Sequence, residues 1–330
     1  MIPDTSLTNL VDNEFCLTSL TPEEAEIWKE IAHQKQLPNL RLTGVYDAQE
    51  LSRGEGVRSA IIDSGADYNH PELFSRFESI KGRDLVNNTD DPKDLNGHGT
   101  HVAGIIAGKS MGIAPQAKLY ALKVMCSQTG INYERVNKAL EEALDYNVDI
   151  INISLSSSAY DEDCEVICNA ARAKGVLIVA SAGNNHSGAG FPASYGVPVI
   201  SVASVTNSKM HAPNSNIWPT NDVCAPGMQI FSCYKDGKYC ISGGTSMAAA
   251  QITGILSLGV SILKQKGKKV DADRLESILK ATAEPLSQRA EEITARYGIA
   301  QDLSPEQAIQ WIYGSGLARA DRFVEEINRI

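Results

Sequence analysis

From Val57 onward the chain alternates short, continuous apolar runs with stretches whose apolar residues recur every three or four positions. The runs Val57 to Ile62, Ala117 to Val124, Asp149 to Leu155, Val176 to Ala182 and Val199 to Val205 read as strands buried on both faces. Between them, helices are predicted over His98 to Ala107, Tyr133 to Asn147 and Asp163 to Lys174. Strands that alternate with helices imply an α/β fold in three layers, a mainly parallel central sheet flanked by helices. Ligands are expected at the carboxyl ends of its strands.

Residues 1–40 read as an N-terminal extension to a domain spanning residues 41–330. In the extension, Thr21-Pro22-Glu23-Glu24 has the order of an N-cap, a proline in the first turn and two acids, so a helix should run to roughly Gln34. Leu37-Pro38-Asn39 should break it. Beyond Val205 the pattern predicts a buried helix through Ile252 to Leu263 and a polar one near Ala272 to Thr282. Further helices are expected at Leu286 to Ala295, from Ser304-Pro305-Glu306 onward, and from Ala318 to about Ile330.

Composition narrows the partners. Apolar residues make up 43% and charged residues 21% of 330, as in a globular protein with a sizeable core. A net charge of −10 argues against a nucleic-acid partner. The longest apolar stretch reads as too short and interrupted to cross a bilayer, so no membrane association is expected. Met1-Ile2-Pro3-Asp4-Thr5 lacks the basic start and apolar core of a signal peptide. The expectation is a cytoplasmic, reduced protein, or a secreted one if a leader had been removed. The seven cysteines lack zinc-site spacing. Cys164 and Cys168 fall four apart on a helix, a poor geometry for a disulfide. An Asp236-Gly237 hairpin turn would set Cys233 opposite Cys240, paired or reduced.

Four polar positions carry candidate chemistry. Gly243-Gly244-Thr245-Ser246 delivers a serine to the first turn of a buried helix, where free N–H groups and the helix dipole favour an oxyanion. Taken alone, that serine is equally an N-cap. Asp63 ends a buried strand, either fixing a histidine or shaping an Asp-Ser-Gly turn. His98 and His101 lie three apart; His101 reads as structural, and the absence of a third ligand nearby argues against a metal. Asn184 follows another strand end, either as an oxyanion donor or as a loop residue.

Together these stretches resemble the subtilisin-like serine protease family, with a layout most like that of the intracellular subtilisins. The resemblance rests on Ala60 to Gly65, Asn96 to Gly104, Ser181 to Asn184 and Gly244 to Ala248, in the family's order of Asp, His, Asn, Ser. It implies a three-layer subtilisin-like fold and a serine endopeptidase acting on peptides or proteins with no required cofactor. Ser246 would be the nucleophile, His98 the general base and acid, Asp63 its orienting carboxylate, and Asn184 with the Ser246 N–H the oxyanion hole. Substrate would lie as a strand along Ser154-Leu155-Ser156, with Ala182, Gly183 and Gly190 walling the first specificity pocket.

The chain also departs from the family. Ala249-Ala250-Gln251 replaces a Ser/Thr-Pro-His segment, so a looser site that transfers the acyl group to an amine, as a ligase or cyclase, is a second expectation. A catalytically silent peptide-binding or scaffold relative is a third. The short loop Gly108 to Gly112 speaks against a calcium ion held there. The acidic loop Asp84 to Asp94 reads as solvated surface with at most weak calcium affinity. Ser156-Ser157 should narrow the outer cleft. Gly190 should leave the first pocket deep, for a large apolar side chain. Residues 281–311 form a helical insertion. The extension is either a short propeptide lying across the cleft or a helix packed on the body. Oligomeric state is not legible from these residues.

Overall fold

The computed structural model describes residues 18–126, 132–299 and 303–330. Its chain opens with strand β1 (Thr18–Ser19), then helices α1 (Pro22–His33), α2 (Pro38–Leu42) and α3 (Val45–Ala48). The five apolar runs become β2 (Arg58–Asp63), β4 (Lys118–Lys123), β5 (Ile150–Ile153), β6 (Leu177–Ser181) and β7 (Ile200–Val205). Two strands that the pattern did not predict, β3 (Phe77–Asp84) and β8 (Asn221–Pro226), complete a seven-stranded sheet as its edges. An edge strand need not be apolar throughout, and β3 mixes exposed Ser79 and Ile80 with buried Phe77 and Asp84.

All neighbours in the sheet are parallel, in the order β3-β4-β2-β5-β6-β7-β8. The chain builds outward to one side of β2 and then to the other. The carboxyl ends of β2 and β5 therefore flank a switch point, where no crossover covers the crevice. Successive side chains face opposite layers. Ile61, Leu119, Val179 and Val202 pack under α4 (His98–Ala107) and α7 (Thr245–Gln265), and Ala60, Ile62, Leu122 and Ile178 under α5 (Tyr133–Asp145) and α6 (Glu162–Ala173).

Helix α7 is the longest, at 21 residues, and every residue from Thr245 to Leu263 is buried. By length and composition it could cross a membrane, contrary to the reading of its sequence as too short. Its apolarity is explained by burial inside the protein. The chain continues through α8 (Ala272–Thr282), α9 (Ala290–Arg296), α10 (Pro305–Tyr313) and α11 (Ala320–Arg329). Within residues 281–311, Leu286, Ala290 and Ala308 join Ile312 and Tyr313 in a cluster with Ala203, Val205 and Ile217 beside β8. That segment covers a sheet edge.

A second, three-stranded sheet holds β1 against the hairpin of β9 (Ile230–Tyr234) and β10 (Lys238–Ser242). Here the expected cysteine pairing fails. The turn has three residues rather than two, with Asp236 and Gly237 both left-handed at φ 60° and 68°. Cys233 therefore opposes Tyr239 and Cys240 opposes Ser232, a slip of one residue from the predicted register. All six cysteines among the described residues are free thiols.

The described part of the extension is part of the body. Thr21 and Glu24 form a reciprocal capping box at the start of α1. Ala25, Ala32, Leu37 and Leu40 enter the main core, and the Trp28 ring stacks on Phe231 at 5.6 Å. Asn39 donates at 3.4 Å to Gln251 on α7, and the Gln251 amide donates to the Pro226 carbonyl. Residues 18–40 thus contribute to the main core and reach α7; residues 1–17 lie outside the described chain. Trp28→Ala should lower the unfolding free energy by about 1–3 kcal/mol, less than a fully buried aromatic because the ring is only partly covered; urea titration measures it.

Candidate active site

The crevice at the carboxyl ends of β2, β5 and β6 collects the polar residues singled out from the sequence. Asp63 ends β2 with no exposed surface, and its two carboxylate oxygens accept from His98 Nδ1 at 2.8 and 2.9 Å. The Ser64 N–H donates to the same carboxylate at 2.6 Å. His98 opens α4 and keeps its ring 13% exposed to the crevice. Gly99 makes this approach possible, because a Cβ there would sit 2.1 Å from the Gly65 carbonyl oxygen.

Burial presses the His98 pKa down, but the charge and hydrogen bond of Asp63, with a further contribution from Asp94, more than reverse it. The net effect is a rise above the ordinary 6.5. Protonated His98 therefore adds stability that is complete below about pH 6.5 and is lost as the pH climbs through the folded value. His101, one turn on, donates its Nε2–H to the Ile230 carbonyl at 3.1 Å, and burial together with the neighbouring His98 charge pushes it down to about 3. It stays neutral and structural, as its spacing predicted.

Ser246 occupies the first turn of α7, where backbone N–H groups lack intrahelical acceptors. Its hydroxyl donates to the Ser154 carbonyl at 3.1 Å, while the Ser154 hydroxyl donates back to the Ser246 carbonyl at 3.0 Å. A buried series from Thr253 through Asn152 to Ser154 holds this contact between α7 and the end of β5. The hydrogen bond of the Ser246 hydroxyl in this structure is to Ser154 and not to His98. Asn184 lies beside the same helix start. Its carbonyl oxygen accepts from the Thr245 N–H at 3.0 Å and the Thr245 hydroxyl at 3.1 Å. Because a backbone N–H can only donate, the amide orientation is fixed and its NH₂ is left to donate elsewhere.

The proposed cleft walls are backbone in close approach. The Gly183 N–H donates to Thr245 Oγ1 at 3.2 Å, and Leu155 O lies 3.5 Å from the Ser181 hydroxyl. Ser157 and Phe191 exchange both backbone hydrogen bonds and close the far end. A Cβ on Gly183 would lie 3.2 Å from Ser156 Oγ, and one on Gly190 would lie 2.3 Å from Ala182 O. Glycine at 190 is therefore required by contact with the opposing wall. Asn216, absent from the sequence reading, ties these walls together: its Nδ2 donates to Ala182 O and Gly188 O, and its Oδ1 accepts from the Asn185 N–H.

Within the acidic loop Asn87 to Asp91 are exposed, as a solvated surface loop requires, whereas its two ends, Asp84 and Asp94, are buried. Both are 2% exposed. Asp84 pairs with buried Lys123 at 3.1 Å, and donors from Asn87 with that lysine outweigh desolvation to hold its carboxyl below the usual range. Asp94 accepts from Ser64, Asn96, Gly97 and Thr100 around the start of α4. At the short loop after α4, Ser110 donates twice to the Glu72 carboxylate. Among the described residues no group of three or more His, Cys, Asp or Glu is placed to hold a metal ion.

A family model described as the subtilase family matches residues 54–316. The chain belongs to that family. This subtilase is 37% identical over 219 residues to the thermophilic serine proteinase of Bacillus sp. strain AK1, covering 64% of this chain and 54% of that protein. It is 36% identical over 222 residues to an intracellular serine protease of Paenibacillus polymyxa, covering 63% and 67%. The match thus spans little more than half of the first relative's length. Among solved structures, a lanthipeptide protease superposes with TM-score 0.75 at 25% identity, over 92% of this subtilase and 96% of that chain. A cold-adapted subtilisin-like serine proteinase superposes with TM-score 0.65 at 30% identity, over 70% and 84%.

In a proton NMR titration His98 should titrate above the ordinary histidine value, whereas His101 should stay neutral until about pH 3. A His98 midpoint at or below 6.5 would contradict the charge arrangement.

Proposed function

We propose that this subtilase is a serine endopeptidase that cleaves peptide bonds through an acyl-enzyme, with Ser246 as nucleophile, His98 as base and acid, and Asp63 as the orienting carboxylate. The observation that carries the reading is the Asp63–His98 contact at the carboxyl end of β2, together with a serine in the first turn of α7. With Nδ1–H held by Asp63, the neutral ring exposes an unprotonated Nε2 to the crevice. Ser246 Oγ, turned from Ser154, attacks the scissile carbonyl carbon and its proton passes to His98 Nε2. The resulting oxyanion is met by the Ser246 N–H and the Asn184 amide. His98 then donates its proton to the leaving amine. Water repeats the sequence on the ester and frees the acid.

The substrate is an extended peptide paired along Ser154 to Ser156, its first side chain lying between those residues and Ala182-Gly183. The walls Ala182, Gly183 and Gly190 are small and uncharged, which supports a first pocket for an apolar side chain. The extended match to a lanthipeptide protease, which continues beyond residues 54–316, supports small peptides of that kind as substrates. No cofactor enters any step. The hairpin register that keeps Cys233 from Cys240 supports a reduced, cytoplasmic setting.

Fluorophosphonate labelling tests the mechanism. Ser246 should be labelled and Ser246→Ala should not. Asn184→Ala should lower kcat by roughly 10²–10³-fold with little change in KM, a magnitude carried over from a subtilisin. No labelling of the wild type would favour a silent peptide-binding relative. Product that has gained an amine rather than water would favour a ligase.

Residues 1–17 are the part of the extension left to act as a lock. Thr18 lies opposite Ile241 on β10, close in sequence to Ser246, and β1 runs antiparallel to that strand. A chain starting at Thr18 should be labelled faster than the full chain; equal rates would reject a blocking role.

A further inference from the structure

Asp94 stands apart from the groups used so far: a carboxylate 2% exposed, met by five donors of which none is a cation. One oxygen accepts from the Ser64 hydroxyl at 3.0 Å and from the Asn96 and Gly97 N–H groups at 2.9 Å. The other accepts from the Thr100 N–H at 2.9 Å and its hydroxyl at 2.6 Å. A single carboxylate thus closes the loop on both sides of His98. Ser64 ties it to the catalytic aspartate, since its N–H donates to Asp63 and its hydroxyl to Asp94, while that hydroxyl accepts from the Gly99 N–H at 3.0 Å. Gly97, at φ 109°, is pinned between this carboxylate and the Tyr234 ring, against which a Cβ would lie 2.0 Å away.

We infer that Asp94 is a positioning residue of the catalytic site, holding the first turn of α4 so that the His98 ring meets Asp63, and acting on the reaction only through His98. The inference rests on the proposed serine-peptidase mechanism. An ionised carboxylate suits the task because it presents several lone pairs to converging donors and needs no mobile side chain as partner. An amide in its place would turn one acceptor into a donor facing an N–H group, leaving the loop free to shift. Its charge also bears on the imidazolium. The ionisable groups facing His98 are Asp63 from β2, Asp94 from the preceding loop, neutral His101 from its own helix, and Tyr234 from β9 through Gly97.

The test compares fluorophosphonate inactivation of the wild type, Asp94→Asn and Ser64→Ala across pH, each rate referred to the folded fraction by near-UV circular dichroism. Asp94→Asn should lower the maximal inactivation rate by roughly 10–100-fold while leaving the half-saturating probe concentration within about twofold, as expected of a misplaced base. Because activity needs neutral His98, and removal of a negative charge favours that form, the acid limb should move to lower pH. Ser64→Ala, which removes the hydroxyl's links to Asp94 and Gly99 and no charge, should lower the rate by a smaller factor and leave the limb in place; it decides the matter if Asp94→Asn does not fold. A labelled wild type with folded variants of unchanged rate and pH limb would overturn the inference. An unlabelled wild type would instead overturn the mechanism on which it rests.

Discussion

A charged carboxylate with no exposed surface must be surrounded by donors, and Asp63 imposes that requirement on the centre of this molecule. It stands at the end of a strand buried on both faces, where water cannot solvate it. The Ser64 N–H and the His98 ring meet it, and each is held in turn: Ser64 through its hydroxyl, His98 through the first turn of α4. The geometry of the candidate site is therefore the way a buried charge has been satisfied. The parallel sheet makes this affordable by placing Asp63 at a switch point, beside helix N-termini whose N–H groups seek acceptors.

The same logic runs through α7. A helix with apolar contacts on all sides must carry its few polar groups toward specific partners. Thr253 reaches Asn152, Ser246 reaches Ser154, and Gln251 reaches Asn39 and Pro226. These contacts set the helix's height against the sheet, and so the level of Ser246 in the crevice. Gln251 replaces a residue type usual in the family, and its partner comes from the N-terminal extension. The unusual extension and the unusual helix sequence thus fit one another.

Much of this was legible in the residues. Long apolar runs gave the central strands within a residue or two because such runs have few other ways to be buried, and Thr21 and Ser304 marked helix starts through their side-chain oxygens. The edge strands were not legible, since β3 spreads its apolar residues among charged ones and β8 is a short run that begins on Asn221-Asp222 and ends on Pro226. Asp63, His98, Asn184 and Ser246 could be singled out in the sequence because their neighbours are small and their order resembles that of the family. Asp94 was missed because a run rich in Asp and Asn looks solvated, and burial of such a residue depends on contacts with Ser64 and Thr100 that lie 30 and 6 positions away. Asn216 offered no local signal at all, as its role arises only where three loops meet.

The three-residue turn between β9 and β10 has a consequence for the chemistry of sulfur. A one-residue slip in an antiparallel pair sends two side chains to opposite faces of the sheet, so Cys233 and Cys240 look away from each other although their strands are hydrogen-bonded. This hairpin touches the His98 helix through His101, Ser232 and Tyr234. A bond between its two thiols would have made the catalytic frame answer to the surrounding oxidant. As built, the hairpin is held by backbone pairing and packing, and its rigidity is independent of redox poise.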